Sequence, residues 1–172
     1  MSDLHQNIEL KTHYVDLNTA RCIIEQLGAQ FNERQVQTDT YFCVPNGRLK
    51  LREIEGQTAV LIGYCRPDQT EFRTSNYYLI EIQDPSALKA ALTTACGARG
   101  EVRKTRDILL YHNVRIHLDR VENLGTFIEF EAVLSPGADE SGSLLLLDQL
   151  YDALKIDPSW HCARSYSDML GI

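Results

Sequence analysis

Phe127-Ile128-Glu129-Phe130-Glu131 sets apolar and acidic residues on alternate positions, the period of a β-strand. Arg115-Ile116-His117-Leu118-Asp119, just upstream, alternates in the same way with ionisable residues of both signs. Arg48-Leu49-Lys50-Leu51-Arg52 does so with a wholly basic set, and Asn7-Ile8-Glu9-Leu10-Lys11 with a mixed one. Each run is a strand with a hydrocarbon face and an ionisable face. A strand face in water ordinarily carries many Thr, Ser and Gln residues. Here Arg and Lys crowd the same side of single strands, where like charges repel and cost stability unless an anion neutralises them. The apolar faces need cover. If helices cover them and the sheet closes, the charged faces meet in a hydrophilic tunnel or cleft. An eight-stranded barrel has room inside for side chains or one small ligand.

The rest of the chain supplies those parts. Asp16 or Asn18 can cap a helix whose Leu17, Ala20, Ile23, Ile24 and Leu27 share a face and which Gly28 stops. Strand patterns follow over 36–44, 48–53, 58–66 and 71–82, separated by turns such as Pro45-Asn46-Gly47 and Glu55-Gly56-Gln57. Asp84-Pro85 opens a second helix with Leu88, Ala91, Leu92 and Ala95 as its buried face, ended at Gly97 or Gly100. Strands over 101–112 and 114–120 form a hairpin about Asn113, and 126–134 is another strand. Ser135-Pro136-Gly137 breaks it before a helix over 139–154 with a stripe of Leu144, Leu147, Leu150, Tyr151 and Leu154. A short helix is expected over 166–170. About eight strands with mostly short connections predict an antiparallel sheet in a single domain spanning residues 1–172.

Composition narrows the setting. A net charge of −7 over 172 residues argues against non-specific nucleic-acid binding, although a local basic stripe can still hold polyphosphate. Five widely spaced cysteines include no zinc spacing, and the contexts of Cys22, Cys43 and Cys96 predict buried free thiols. No secretion signal is visible at the start, and apolar runs such as Leu144–Leu147 are too short to span a membrane. A reducing, cytoplasmic location is expected. The Leu144–Leu147 patch would serve either a homodimer or the cover of the barrel.

The ionisable residues also select a chemistry. Glu9, Glu129 and Glu131 are hard oxygen donors without nearby thiolates and suit Mg²⁺ or Mn²⁺ rather than zinc. Arg48, Lys50, Arg52, Arg66, Lys104, Arg106 and Arg115 suit phosphate oxygens. A carboxylate-held divalent ion beside many cations fits a substrate with several adjacent phosphates. His117 is a candidate base, although a lone strand histidine more often has a structural role. Tyr41, Tyr64, Tyr77 and Tyr78 either line the cavity or pack in the sheet.

In this order the motifs resemble those of the CYTH family, also called triphosphate tunnel metalloenzymes, from the first strand nearly to the C-terminus. Asn7, Glu9 and Lys11 occupy an opening signature of alternating Glu, Glu and Lys. Gln37-Thr38-Asp39-Thr40-Tyr41-Phe42, Gly47-Arg48-Leu49-Lys50-Leu51-Arg52, Leu61-Ile62-Gly63-Tyr64-Cys65-Arg66-Pro67 and Val102-Arg103-Lys104-Thr105-Arg106 resemble later strands. The run from Arg115 to Val121, followed by Leu124 to Glu131, is the strongest match, and 165–170 resembles the family's tail. The resemblance implies a mainly β, α+β fold: a closed or nearly closed antiparallel eight-stranded barrel around a tunnel, with helices packed outside. It implies Glu9, Asp119, Glu129 and Glu131 for metal binding or water orientation, which together with Lys11 form the catalytic set. Lys11, Lys50, Arg52, Arg66, Lys104, Arg106 and Arg115 would contact the triphosphate. Asn7 departs from the pattern, weakening the attraction for a second metal. The leading expectation is a class IV adenylyl cyclase-like enzyme converting ATP to cyclic AMP and pyrophosphate, although His5-Gln6 stands where some cyclases carry His-Phe. The alternatives are an inorganic or organic triphosphatase and a catalytically weakened module that binds nucleotide or polyphosphate.

Overall fold

The computed structural model describes residues 4–65, 69–134 and 140–172. Their eight strands are β1 (His5–His13), β2 (Gln30–Phe42), β3 (Arg48–Ile54), β4 (Ala59–Cys65), β5 (Arg73–Ile82), β6 (Ala98–Tyr111), β7 (Val114–Val121) and β8 (Gly125–Leu134). The helices are α1 (Leu17–Gln26), α2 (Pro85–Cys96), α3 (Glu140–Ala153) and the short α4 (Tyr166–Leu170). The strands close into a barrel in the order β1-β5-β4-β3-β2-β6-β7-β8, and every pair is antiparallel. Thus β1, first in the chain, closes the barrel by pairing with both β5 and β8.

The alternation in sequence becomes an inside-out core. Outward residues Ile8, Leu10, Ile116, Leu118, Ile128 and Phe130 pack with Leu17, Ala20 and Ile24 of α1 and with Leu147 and Leu150 of α3. On the other side Phe42, Leu51 and Ala59 meet Leu88 and Leu92 of α2. Each large buried aliphatic side chain contributes roughly 1.5–3 kcal/mol by leaving water, so the hydrophobic stabilisation lies between the barrel and its helices. The interior is left to polar groups. Asp16 caps α1, accepting from the amides of Asn18 and Thr19, and Asp84 caps α2 from Ala87 with Pro85 in the first turn.

Several expectations need correction. β2 begins at Gln30 instead of residue 36, because it pairs with β6 along nearly its whole length. Ala91 and Ala95 of α2 are exposed; the helix packs on the barrel through Leu88 and Leu92, and Lys89 pairs with Glu53 and Glu101. Cys22, Cys43, Cys65 and Cys96 are exposed, and only Cys162 is buried. In the Leu144–Leu147 patch, Leu147 is buried while Leu144 and Leu146 pack against the same core; Leu145 projects outward, 70 % exposed. Arg66 and the Ser135-Pro136-Gly137 break lie outside the described residues. Among the described residues, no helix is long and apolar enough to cross a membrane.

Candidate active site

Inward positions on all eight strands border a cavity of about 390 Å³, with Asp39, Arg73 and Asp119 set behind its lining. Lys11, Glu9 and Asn7 follow one another along β1, Lys50 and Arg52 along β3, Lys104 and Arg106 along β6, His117 and Arg115 along β7, and Glu129 and Glu131 along β8. Register brings distant residues into rows: Glu9 opposite Glu131 and Lys11 opposite Glu129, with Arg115 and His117 on the far side of the same two glutamates.

The C-terminal segment closes one end. A capping box between Ser165 and Asp168 starts α4, and Arg48 donates to Asp168 at 2.9 Å, fastening the segment to β3. Ser165 and Tyr166 line the cavity floor. The Tyr166 hydroxyl donates to Asp119 Oδ2 at 2.8 Å, and its ring lies 4.1 Å from Lys11 Nζ and 5.1 Å from Lys104 Nζ. Arg73, buried and not singled out from sequence, donates to Glu9 at 3.0 Å and to the carbonyls of Cys162 and Ala163 at 3.4 and 3.3 Å. It ties the tail to β1.

The cations are held by anions of the protein itself. Arg52 grips Asp39 bidentately at 2.7 and 2.8 Å, Lys50 reaches the same carboxylate at 2.8 Å, and Lys104 lies 4.0 Å away. Burial pushes the Asp39 carboxyl up, but the charges of Arg52 and Lys50 overcome it and hold the group well below the usual carboxylate range. Arg106 repeats the fork on Asp119, at 2.7 and 2.6 Å. The basic strands therefore do not rely on an external anion alone. Sequence reading missed Asp39 because its partners reach it through the β2–β3 and β2–β6 registers. Lys104 lies between these acids, yet burial and the neighbouring Arg106 charge bring it down to about 7.

The acids divide differently from expectation. Asp119 is fully buried behind Arg106, and Glu9 receives Arg73. Glu129 and Glu131 instead converge on His117, with one ligand atom of each within 4.8 Å of the others. His117 is only 3 % exposed, and its Nδ1 has no hydrogen-bond partner; at 3.7 and 3.8 Å from the two carboxylates it is too far for one. Burial first, and then Arg106, lower its pKa, favouring the neutral imidazole that can bind a metal. Arg106 donates to Glu129 at 2.8 Å, and Arg115 pairs with Glu131 at 3.1 Å. Both carboxyls are pushed up by burial, and their cationic neighbours outweigh that, leaving them ionised. An orphaned buried nitrogen facing two carboxylates fits a divalent cation. Imidazole and carboxylate together accommodate Mn²⁺, and the carboxylates suit Mg²⁺. Asn7 is buried nearby with its Oδ1 unbonded. His117's local motif gave no sign of this role; its facing strand did.

A closed antiparallel barrel with apolar outer faces and an interior of paired cations and acids defines a class of proteins that can hold a polyanion and a metal in one tunnel. The CYTH domain model matches residues 5–146, and the chain belongs to that family of metal-dependent enzymes acting on phosphate substrates. The PH1012 protein of Pyrococcus horikoshii shares 26 % identity and a TM-score of 0.80, with 94 % of this chain and 98 % of that one covered. A Methanocaldococcus jannaschii protein named "Putative adenylate cyclase MJ0240" is 24 % identical over 96 % of this chain and 98 % of its own length. A Hippeastrum protein described as having a dominant triphosphatase activity shares the fold at a TM-score of 0.65 and 16 % identity, with coverage of 96 % and 93 %.

Proposed function

We propose that the protein cleaves a metal-complexed organic triphosphate between its α- and β-phosphates, releasing pyrophosphate, with conversion of ATP to cyclic AMP as the leading instance. The order of groups along the barrel supports this reading. Lys11, Lys50, Arg52 and Lys104 lie toward the end closed by Tyr166, whereas Arg115 and the His117–Glu129–Glu131 cluster extend toward the open mouth. A triphosphate entering by its terminal phosphate places the β- and γ-phosphates among the deep cations and its ester end near the cluster.

Asp39 holds Lys50 and Arg52 in fixed positions before the substrate arrives, and Asp119 does the same for Arg106, so little reorganisation accompanies phosphate binding. Lys11, Lys104 and Arg106 then offset the charge that grows on the departing pyrophosphate. His117, Glu129 and Glu131 would hold Mg²⁺ or Mn²⁺, which when bound neutralises phosphoryl oxygens and makes phosphorus more electrophilic. With ATP, the ribose 3′-oxygen bonds to the α-phosphorus, the bond to the bridging oxygen breaks, and the hydroxyl proton leaves to water at the mouth. The name given to the Methanocaldococcus relative agrees with this reading.

Terminal hydrolysis is the second reading, favoured by Lys104. A lysine brought down to about 7 at the closed end could accept a proton from water near the γ-phosphate. Incubating the purified protein with ATP and Mg²⁺ or Mn²⁺ separates the readings. Cyclic AMP with pyrophosphate is the expected result. ADP with orthophosphate would replace the cyclase reading by the hydrolytic one, and tight ATP binding without a product would leave a binding module.

A further inference from the structure

Toward the mouth, the inward positions of three adjacent strands, β5, β4 and β3, and of β6 on the far side of β2, change from charge or aromatic residues to aliphatic ones. On β6, Lys104 and Arg106 give way to Ile108 and Leu110; on β3, Lys50 and Arg52 give way to Ile54. On β4, Tyr64 gives way to Ile62 and Val60, and on β5, Arg73, Ser75 and Tyr77 lead to Leu79. Leu79 and Leu110 are 38 % and 41 % exposed although they face into the cavity. A mouth filled only with water would place polar residues there, because exposed clustered hydrocarbon is costly without an occupant.

The neighbouring wall on β2 is polar, formed by Asn32, Glu33, Gln35 and Gln37, and two of its amides are engaged along the strand. Gln37 Nε2 donates to Gln35 Oε1, and Gln35 Nε2 donates to Glu33 at 2.9 Å. The Glu33 carboxylate also receives Gln57 at 2.7 Å. Each of these two amides thus gives one N–H to its own strand, and the unpartnered Gln37 Oε1 sits opposite Lys104 among the deep cations, away from the mouth.

We infer that the aliphatic wall of Ile54, Val60, Ile62, Leu79, Ile108 and Leu110 seats the ester group of the substrate and selects it by an apolar face, not by hydrogen-bonding edges. The ligand is thus an organic triphosphate whose ester group carries a flat or hydrocarbon surface; inorganic tripolyphosphate leaves the wall empty. This rests on the reading that the phosphates occupy the closed end. The cavity lies within the size range of about 300–1,000 Å³ typical of small organic ligand sites. Its charged and aliphatic parts are continuous, as such a substrate requires.

Calorimetric binding in Mg²⁺ of tripolyphosphate, the α,β-methylene analogues of ATP and GTP, and geranyl triphosphate tests the inference. Each organic ligand is expected to bind about tenfold or more tightly than tripolyphosphate, as apolar burial of this extent implies. The ATP and GTP analogues should agree within about threefold, because no base edge is read. Leu110→Ser and Ile108→Ser should weaken the organic ligands about tenfold and leave tripolyphosphate unchanged. Leu110 is already part-exposed, so its variant keeps the test independent of folding. Equal affinity for tripolyphosphate and the organic ligands, strong ATP-over-GTP preference, or equal weakening of all ligands by Leu110→Ser would overturn the inference while leaving the phosphate site standing. Failure of tripolyphosphate itself to bind would remove both.

Discussion

Asp39 shows most clearly how single residues prepare this site. It lies out of reach of the cavity and neutralises Arg52, Lys50 and, at longer range, Lys104. Asp39→Asn leaves these cations without their anion, and urea denaturation should show a loss of about 3–5 kcal/mol. Tripolyphosphate should raise the variant's melting temperature more than that of the wild type, because it supplies the missing charge. The Asp39 carboxyl is depressed in the folded state, so its contribution is present above the unfolded value of about 4 and is lost as pH falls toward the folded one. Lys104 has the opposite consequence for ligand binding. Its ammonium gives up its proton at about 7, so triphosphate affinity should decline as pH rises above 7, with proton uptake on binding. Calorimetry in buffers of different ionisation enthalpy measures that uptake, which Lys104→Met should abolish. If Lys104 served instead as the base of terminal hydrolysis, kcat would rise through the same pH window. Asp39 and His117 were obscure in sequence for one reason: the partners that define each are on other strands, and only register brings them together.

At the level of elements, alternation was readable wherever one face is hydrocarbon. The 48–52, 115–119 and 127–131 runs fall within β3, β7 and β8, with their charges turned inward. Alternation was silent over Gln30–Gln35, where Phe31 is the single apolar residue; long-range pairing with β6 makes that segment a strand. The small alanines of α2 carried a helical pattern without enough surface to demand burial, and the contexts of Cys22, Cys43 and Cys96 did not reveal which side faces water. The tail motif was visible, but its place as the floor of the cavity was not, because contacts such as Tyr166 with Asp119 span 47 residues. Gly100 matters to that floor. Its φ is +155°, and an added Cβ would stand 3.0 Å from the Cβ of Ile172. Gly100→Ala should therefore loosen the end of the chain and destabilise the protein by about 1 kcal/mol or more, read as a lower melting temperature and faster amide exchange over 166–172.

For the whole molecule, the inside-out arrangement separates stability from function. Hydrophobic packing lies between the barrel and its helices, while the interior holds opposed charges whose desolvation is offset by mutual pairing. The barrel can thus keep a dense set of cations and acids around a cavity open at one end. The proposed function requires a divalent ion at His117, Glu129 and Glu131 beside a triphosphate on the deep cations. Mn²⁺ paramagnetic resonance, titrated with and without tripolyphosphate, measures this most directly. The wild type should bind Mn²⁺ and form a ternary complex, while Glu129→Gln and His117→Ala should each lose about tenfold or more in Mn²⁺ affinity, at least as much as removing a supporting residue of a metal site costs. Wild-type Mn²⁺ affinity and an unchanged ternary complex in both variants would contradict the metal–triphosphate site.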